Sequence, residues 1–382
     1  MMDKKFTDYY PPGSVYYEKV RGKISKLYEN FGYQIIEPSV FINYDDIYFC
    51  DKNNSFKIVD YDGSVLTLRT EYTLSAANIA ANFFDERQDV IKFYYFGKVF
   101  QYLTENAGDW REFHQIGIEN IMKKDDPFSD VEVIALAAET LLELGFLNFT
   151  VDIGEVNFFK GITFGYGIDD ESSEMLCKLI DKKDYIGIEN FLKDKNIKSS
   201  VIDDFRRITR LYGKGDVLKD ARVYAKNEIS KKSLERLEFI YQKLKSMGYE
   251  DYISLDLGML KHMDYYTGII FTGYIEGLGY PVLSGGRYDS LFSRFNRKLF
   301  AVGFAAGLER LIERMPVCKE AIEVYVGYDE EGFEKAFEFT KNLKGKAYFQ
   351  SFPEKQEECQ ERAKNMGIER VYYFKGKDII LL

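Results

Sequence analysis

Apolar positions recur at helical spacing over residues 15–30, where Val20, Ile24 and Leu27 share one face, and Gly32 follows as a helix-ending residue. A short strand is predicted over 33–37, stopped by Pro38, which has no N–H to extend a ladder. Strand-like runs at 56–61 and 65–69 flank Asp62-Gly63, a dipeptide suited to a tight hairpin turn. An alanine-rich helix is expected over 73–83. Two strong strand patterns follow at 91–100 and 112–122, separated by a polar loop at 101–110. Ser129 reads as the N-cap of a helix running to Leu144.

From about 171 to 248 the pattern changes to short, charged, helical segments. In the last of them, 231–247, Leu234, Leu237, Tyr241 and Leu244 fall on one side. Strand signals return at 253–257, 266–275 and 280–283, and a helix is predicted over 305–314. Pro316 marks a boundary. Beyond it a strand at 323–328, a helix to 343, a strand at 346–350, a helix to 366 and a strand at 370–374 alternate as β-α-β-α-β. That order predicts a small α/β domain with a largely parallel sheet.

Composition narrows the function classes. The chain has 382 residues, room for two or three domains, and 46% are hydrophobic. Its 31 Phe and 30 Tyr argue against extended disorder. With 62 acidic against 52 basic residues the net charge is −10, a poor match to a long nucleic-acid surface, which needs cations for phosphate. No apolar run reaches the ~18 residues of a membrane span. The first seven residues lack the apolar centre of a signal peptide, so a soluble, cytoplasmic protein is expected. Cys50, Cys177, Cys318 and Cys359 are far apart and form no CxxC, so neither a zinc site nor a disulfide framework is expected. His114 and His262 are too few for a histidine-based catalytic or metal cluster, and no cofactor is expected.

Several motifs are uninformative. There is no phosphate-loop sequence, and Gly165-Tyr166-Gly167 lacks the context of a dinucleotide fingerprint. Gly213-Lys214-Gly215 reads as a helix-ending loop. Asp125-Asp126, Asp169-Asp170 and Asp203-Asp204 read as caps and turns, and Arg206, Arg207 and Arg210 as solvated helix surface. The information lies in four ordered stretches: Leu68–Thr73, Arg111–Glu119, Met263–Gly268 with Ser284–Asp289, and Ala301–Arg310. In the second, period-two geometry puts Arg111, Phe113, Gln115, Gly117 and Glu119 on one strand face.

In this order and spacing the four stretches resemble the catalytic core of histidyl-tRNA synthetase, a class II synthetase, over roughly residues 8–320. The paired strands around 101–110 look like motif 2 of that class, and Gly303–Arg310 is similar to motif 3. Met263–Gly268 and Gly285–Asp289 are specific to its histidine branch. The resemblance implies an α+β fold: an antiparallel sheet flanked by helices, formed by 1–170 and 249–318, with a helical insertion at 171–248. Residues 319–382 form the small α/β domain, at most a shortened version of the synthetase anticodon-binding domain.

By the same resemblance, Glu71, Thr73, Gln115, Glu119, Tyr265 and Tyr266 match positions that hold the amino and imidazole groups of histidine, with Lys261 replacing a family arginine. The chemistry suits the ligand: a carboxylate with an amide suits an ammonium, and a second carboxylate with a tyrosine hydroxyl suits a ring N–H. The ATP site departs from the family. Gln101 stands where motif 2 carries its arginine, directly after the position of Phe100. Leu103 replaces the glutamate that reads adenine, and Asp109 replaces the loop arginine that steadies the triphosphate.

Losing one transition-state arginine costs about 10³–10⁵ in rate at comparable phosphoryl-transfer sites. An aspartate ~4 Å from a phosphate repels it by roughly 4 kcal/mol at an effective dielectric near 20. Arg310 and much of motif 3 are retained.

A histidine pocket kept beside a degraded ATP site resembles one paralogous family, the regulatory subunits of ATP phosphoribosyltransferase, in the first step of histidine biosynthesis. That resemblance implies a non-catalytic chain, dimeric at its core, that joins a short-form catalytic subunit in a hetero-octamer. It would be required for that subunit's activity and would transmit feedback inhibition by histidine. No membrane and no tRNA partner is expected. Two alternatives remain from the sequence: a working histidyl-tRNA synthetase with an atypical motif 2, and a histidine-binding paralogue in another pathway.

Overall fold

The fold is that of a computed structural model, which describes residues 8–11, 13–47, 55–83, 88–102, 110–260, 266–315 and 322–382. The chain divides into two compact units, Met1–Pro316 and Val317–Leu382. In the first, α1 (Gly13–Asn30) buries Val20, Ile24 and Tyr28 and leads into the short β1 (Gln34–Ile35). A small antiparallel sheet follows, made of β2 (Phe41–Asn43), β3 (Lys57–Val59) and β4 (Val65–Leu68). The Asp62-Gly63 turn joins its last two strands, with Gly63 at φ +84°. α2 (Thr73–Phe83) packs inward through Ala76, Ala77, Ala80 and Ala81.

β5 (Val90–Phe100) and β6 (Glu112–Met122) pair antiparallel from Val90↔Met122 to Phe100↔Glu112. α3 (Pro127–Glu143) begins two residues before the expected cap. Asp126 accepts from Phe128 N at 3.1 Å and Pro127 fills the first turn, where its missing N–H is harmless. Ser129 is buried instead, and accepts from Arg287 at 2.9 Å. β7 (Phe149–Glu155) and α4 (Val156–Gly165) occupy a stretch for which no element was predicted. β7 does alternate, with Phe149, Val151 and Ile153 buried and Thr150 and Asp152 less so, but it runs directly into α4 with no breaker residue between strand and helix.

The charged stretch contains α5 (Asp170–Asp181), α6 (Tyr185–Asp194), α7 (Ser199–Ile208), a two-residue β8 (Tyr212–Gly213), α8 (Val217–Ala221) and α9 (Glu228–Ser246). α9 buries Leu234, Leu237, Tyr241 and Leu244 as its spacing predicts. Then come β9 (Ile253–Asp256), β10 (Ile269–Ile275), β11 (Leu283–Arg287), β12 (Phe300–Gly307) and α10 (Leu308–Ile312).

Two expectations are corrected here. The strand expected at 280–283 is displaced to β11, whose glycines are ladder positions and not a turn. A Cβ on Gly285 would lie 2.4 Å from Gly303 O, so backbone approach demands glycine. The helix expected from 305 starts at Leu308, because Ala305, Ala306 and Gly307 pair with Gly117, Ile116 and Gln115.

These strands form a nine-stranded sheet in the order β1-β5-β6-β12-β11-β10-β7-β9-β8. Only the β1–β5 and β7–β9 pairs are parallel. The second unit contains β13 (Val324–Tyr328), α11 (Phe333–Asn342), β14 (Ala347–Phe349), α12 (Gln356–Asn365), β15 (Arg370–Lys375) and β16 (Asp378–Leu381). Its first three strands are parallel, as expected. β16 adds an antiparallel edge through a turn with Gly376 at φ +52°. The unit has apolar clusters of its own, one around Tyr325, Cys359 and Val371 and another around Val326, Ala336 and Phe374.

Candidate functional site

Glu119 lies in mid-strand on β6, opposite Gly303 of β12. A Cβ on Gly303 would fall 1.8 Å from Glu119 Oε2, so the missing side chain is what gives the carboxylate its space. Glu119 is 1% exposed. Thr73 Oγ1 donates to its Oε1 at 2.7 Å and Tyr95 OH donates to the same oxygen at 3.3 Å. Tyr288 OH donates to Oε2 at 2.5 Å. Burial pushes the Glu119 carboxyl up to about 8; the Tyr288, Thr73 and Tyr95 hydroxyls oppose that rise and the charge of Glu71 adds to it.

Glu71 precedes α2 and accepts from Leu74 N at 2.9 and 3.2 Å, which satisfies an otherwise unpaired donor of the first helical turn. It is half-buried, and burial raises its carboxyl as well. Gln115 Oε1 accepts from Tyr72 N at 3.1 Å, tying β6 to the start of α2. Tyr266 is half-buried, and its phenol is held up by burial and by the charges of Glu119 and Glu71. Glu71, Thr73, Gln115, Glu119 and Tyr266 therefore meet over one sheet face. Lys261 and Tyr265 lie outside the described residues, as do Leu103 and Asp109. No lysine or arginine among the described residues is bonded to Glu71 or Glu119.

Tyr95 and Tyr288 are bonded neighbours of Glu119 that sequence reasoning missed. Tyr95 faces Gly117 across the β5–β6 pair, and a Cβ there would meet its hydroxyl at 2.4 Å. Only the pairing of the strands reveals that match. Tyr288 lies inside the stretch ending at Asp289, and no motif spacing assigns a role to its hydroxyl. Tyr72 stacks on Tyr95 with ring centres 4.4 Å apart, and its own buried hydroxyl has no hydrogen-bond partner among the described residues.

The remaining motif residues are bonded within the fold. Gln101 Nε2 donates to Thr70 O at 3.0 Å, so its amide is spent on backbone. Arg310 Nη1 donates to Pro281 O at 2.8 Å, and its guanidinium lies 5.4 Å from the centre of the Tyr280 ring. Arg69 is buried and donates to Lys98 O, Pro38 O and Glu37. His114 is buried against Glu309, with Nδ1 3.0 Å from its carboxylate. Lys214 donates to the carbonyls of Glu250, Asp251 and Ile253, which accounts for the glycine-flanked lysine without a phosphate. Among the described residues no helix is long and apolar enough to cross a membrane, and no group of His, Cys, Asp and Glu is placed to hold a metal ion.

The histidyl-tRNA synthetase family model matches residues 5–311. An ATP phosphoribosyltransferase regulatory subunit from Acetivibrio thermocellus is 33% identical over 337 residues, covering 86% of this chain and 80% of that protein. One from Thermoanaerobacter sp. is 33% identical over 343 residues, covering 89% and 88%. The chain belongs to the ATP phosphoribosyltransferase regulatory subunit family.

Its fold agrees with that membership. A Bacillus halodurans structure described as an ATP phosphoribosyltransferase regulatory subunit/histidyl-tRNA synthetase superposes with TM-score 0.88 at 24% identity, covering 99% of both chains. Histidyl-tRNA synthetase from Nostoc sp. PCC 7120 superposes with TM-score 0.84 at 17% identity, covering 100% of this chain and 96% of that one. Within the regulatory subunit family, then, this member carries the synthetase-like core with Glu119 buried at its centre.

Proposed function

We propose that this chain is a non-catalytic regulatory subunit that binds a short-form ATP phosphoribosyltransferase catalytic subunit, is required for its activity and transmits feedback inhibition by histidine. The observation that carries the proposal is the pocket around Glu71 and Glu119, which has two carboxylates and no bonded cation among the described residues. Such a site favours the ammonium and ring N–H of histidine and disfavours a triphosphate. Glu71, Thr73 and Gln115 would face the amino group, and Glu119 and Tyr266 the imidazole, with Tyr265 and Lys261 completing the set. Gln101, tethered to Thr70 O, brings no positive charge to the motif 2 position. With Leu103 and Asp109 it would leave ATP activation without its cations.

In this proposal the chain self-associates as a dimer, joins the catalytic subunit in a hetero-octamer and works in the cytoplasm. Histidine can shift the assembly only through its differential affinity for active and inactive states, typically ~1–3 kcal/mol. The decisive experiment mixes the purified chain with the short catalytic subunit of the same organism and follows phosphoribosyl-ATP formation with and without histidine. Activity confined to the mixture and lowered by histidine is expected. A folded chain that gives no stimulation would overturn the regulatory role. Glu119→Ala should weaken the histidine effect and leave stimulation by assembly largely intact.

A further inference from the structure

An ionised carboxylate offers about four acceptor positions. On Glu119 two are filled at Oε1, by Thr73 and Tyr95, and one at Oε2, by Tyr288. The open position belongs to Oε2, the oxygen lying over Gly303. Tyr288 is rigidly placed for this task. It is 1% exposed in a cluster with Ala77, Leu291, Phe292 and Ala301, and its N–H donates to Ala301 O at 2.9 Å. The adjacent Asp289 accepts from Ala301 N at 2.8 Å, so both neighbouring residues are stitched to the start of β12.

We infer that Tyr288 is a positioning residue of the effector pocket: its hydroxyl holds Glu119 as an acceptor with a single open place, which takes one ring N–H of the bound amino acid. This rests on the histidine pocket proposed above. The titratable groups facing Glu119 are Glu71 ahead of α2, Tyr95 on β5, Tyr266 ahead of β10, Tyr288 after β11 and Tyr33 after α1. With no cation bonded to it among the described residues, the carboxylate has only its hydroxyl donors to favour the ionised form against burial. Protonation would put an O–H where the ligand needs an acceptor.

The test is calorimetric titration of the full chain with L-histidine between pH 6.5 and 9.5, for the native protein, Tyr288→Phe and Thr73→Ala, with unfolding temperatures alongside. Native affinity is expected to rise with pH. For Tyr288→Phe the affinity at pH 7 should fall roughly tenfold and the midpoint of the profile move up by about one pH unit, as loss of one charge-assisted hydrogen bond implies. The unfolding temperature should change little, since the ring remains.

A midpoint equal to the native one, whatever the affinity, overturns the inference. If Tyr288→Phe does not fold, Thr73→Ala carries the same test through Oε1: an upward midpoint supports the acceptor count and an unmoved one overturns it. Absence of histidine binding by the native chain would be a different failure, that of the proposed pocket itself.

Discussion

Glu119 is buried with no cation bonded to it among the described residues, and its carboxyl is raised from about 4.5 to about 8. Between those pH values the folded chain holds a proton that the unfolded chain has released, so stability falls as pH rises through that window. Glu119→Gln removes the ionisation. In urea unfolding without histidine, the variant should match the native protein near pH 5 and exceed it near pH 9 by up to about 5 kcal/mol. Equal pH slopes would mean that Glu119 stays ionised in the empty pocket.

Gly303→Ala tests the opposite face of the same arrangement. Its methyl would sit 1.8 Å from Glu119 Oε2 and 2.5 Å from Ile118 O, and the latter is backbone that cannot step aside. Overpacking of this kind costs about 1–3 kcal/mol, and histidine binding should be lost with it. Period-two reasoning put Gln115 and Glu119 on one strand face because it needs one strand only, and the family resemblance singled them out there. Tyr95 and Gly303 escaped because their roles exist only once β5 and β12 are paired with β6.

Helices and strands are tied by charge where the sheet meets its cover. Asp130 on α3 is fully buried and accepts from Arg287 at the end of β11, at 2.8 and 3.1 Å, and from Arg236 on α9, at 2.7 Å. Arg287 is itself 2% exposed, whereas Arg236 is partly open to solvent. Removing Arg287 leaves a buried carboxylate short of its inner partner, and Arg287→Ala should lower urea-unfolding stability by about 3–5 kcal/mol. Arg236→Ala should lower it less, because water can reach that side. Equal losses would contradict this ordering.

The misplaced elements depend on cross-strand partners that one segment's pattern does not show. β11 was set too early because glycines usually punctuate a chain, and here they allow close backbone packing in mid-sheet. The start of α10 was set too early because Ala305-Ala306 reads as helix-forming until its cross-strand partners are known.

The two compact units were legible in the sequence as a change of periodicity around Pro316, since each has a self-sufficient pattern of apolar positions. The structure gives each unit its own apolar clusters, and every described residue of the Glu119 pocket belongs to Met1–Pro316. Histidine affinity should therefore not depend on Val317–Leu382. A chain ended at Met315 keeps β5, β6, β11 and β12 with the helices that cover them, so the hydroxyls around Glu119 lose none of their support.

Calorimetry should give the same histidine affinity for the shortened and full-length chains, and histidine should raise the unfolding temperature of both alike. If the shortened chain unfolds cooperatively but binds histidine more weakly, the second unit shapes the pocket. The effector site would then be a property of the whole chain and not of the synthetase-like core.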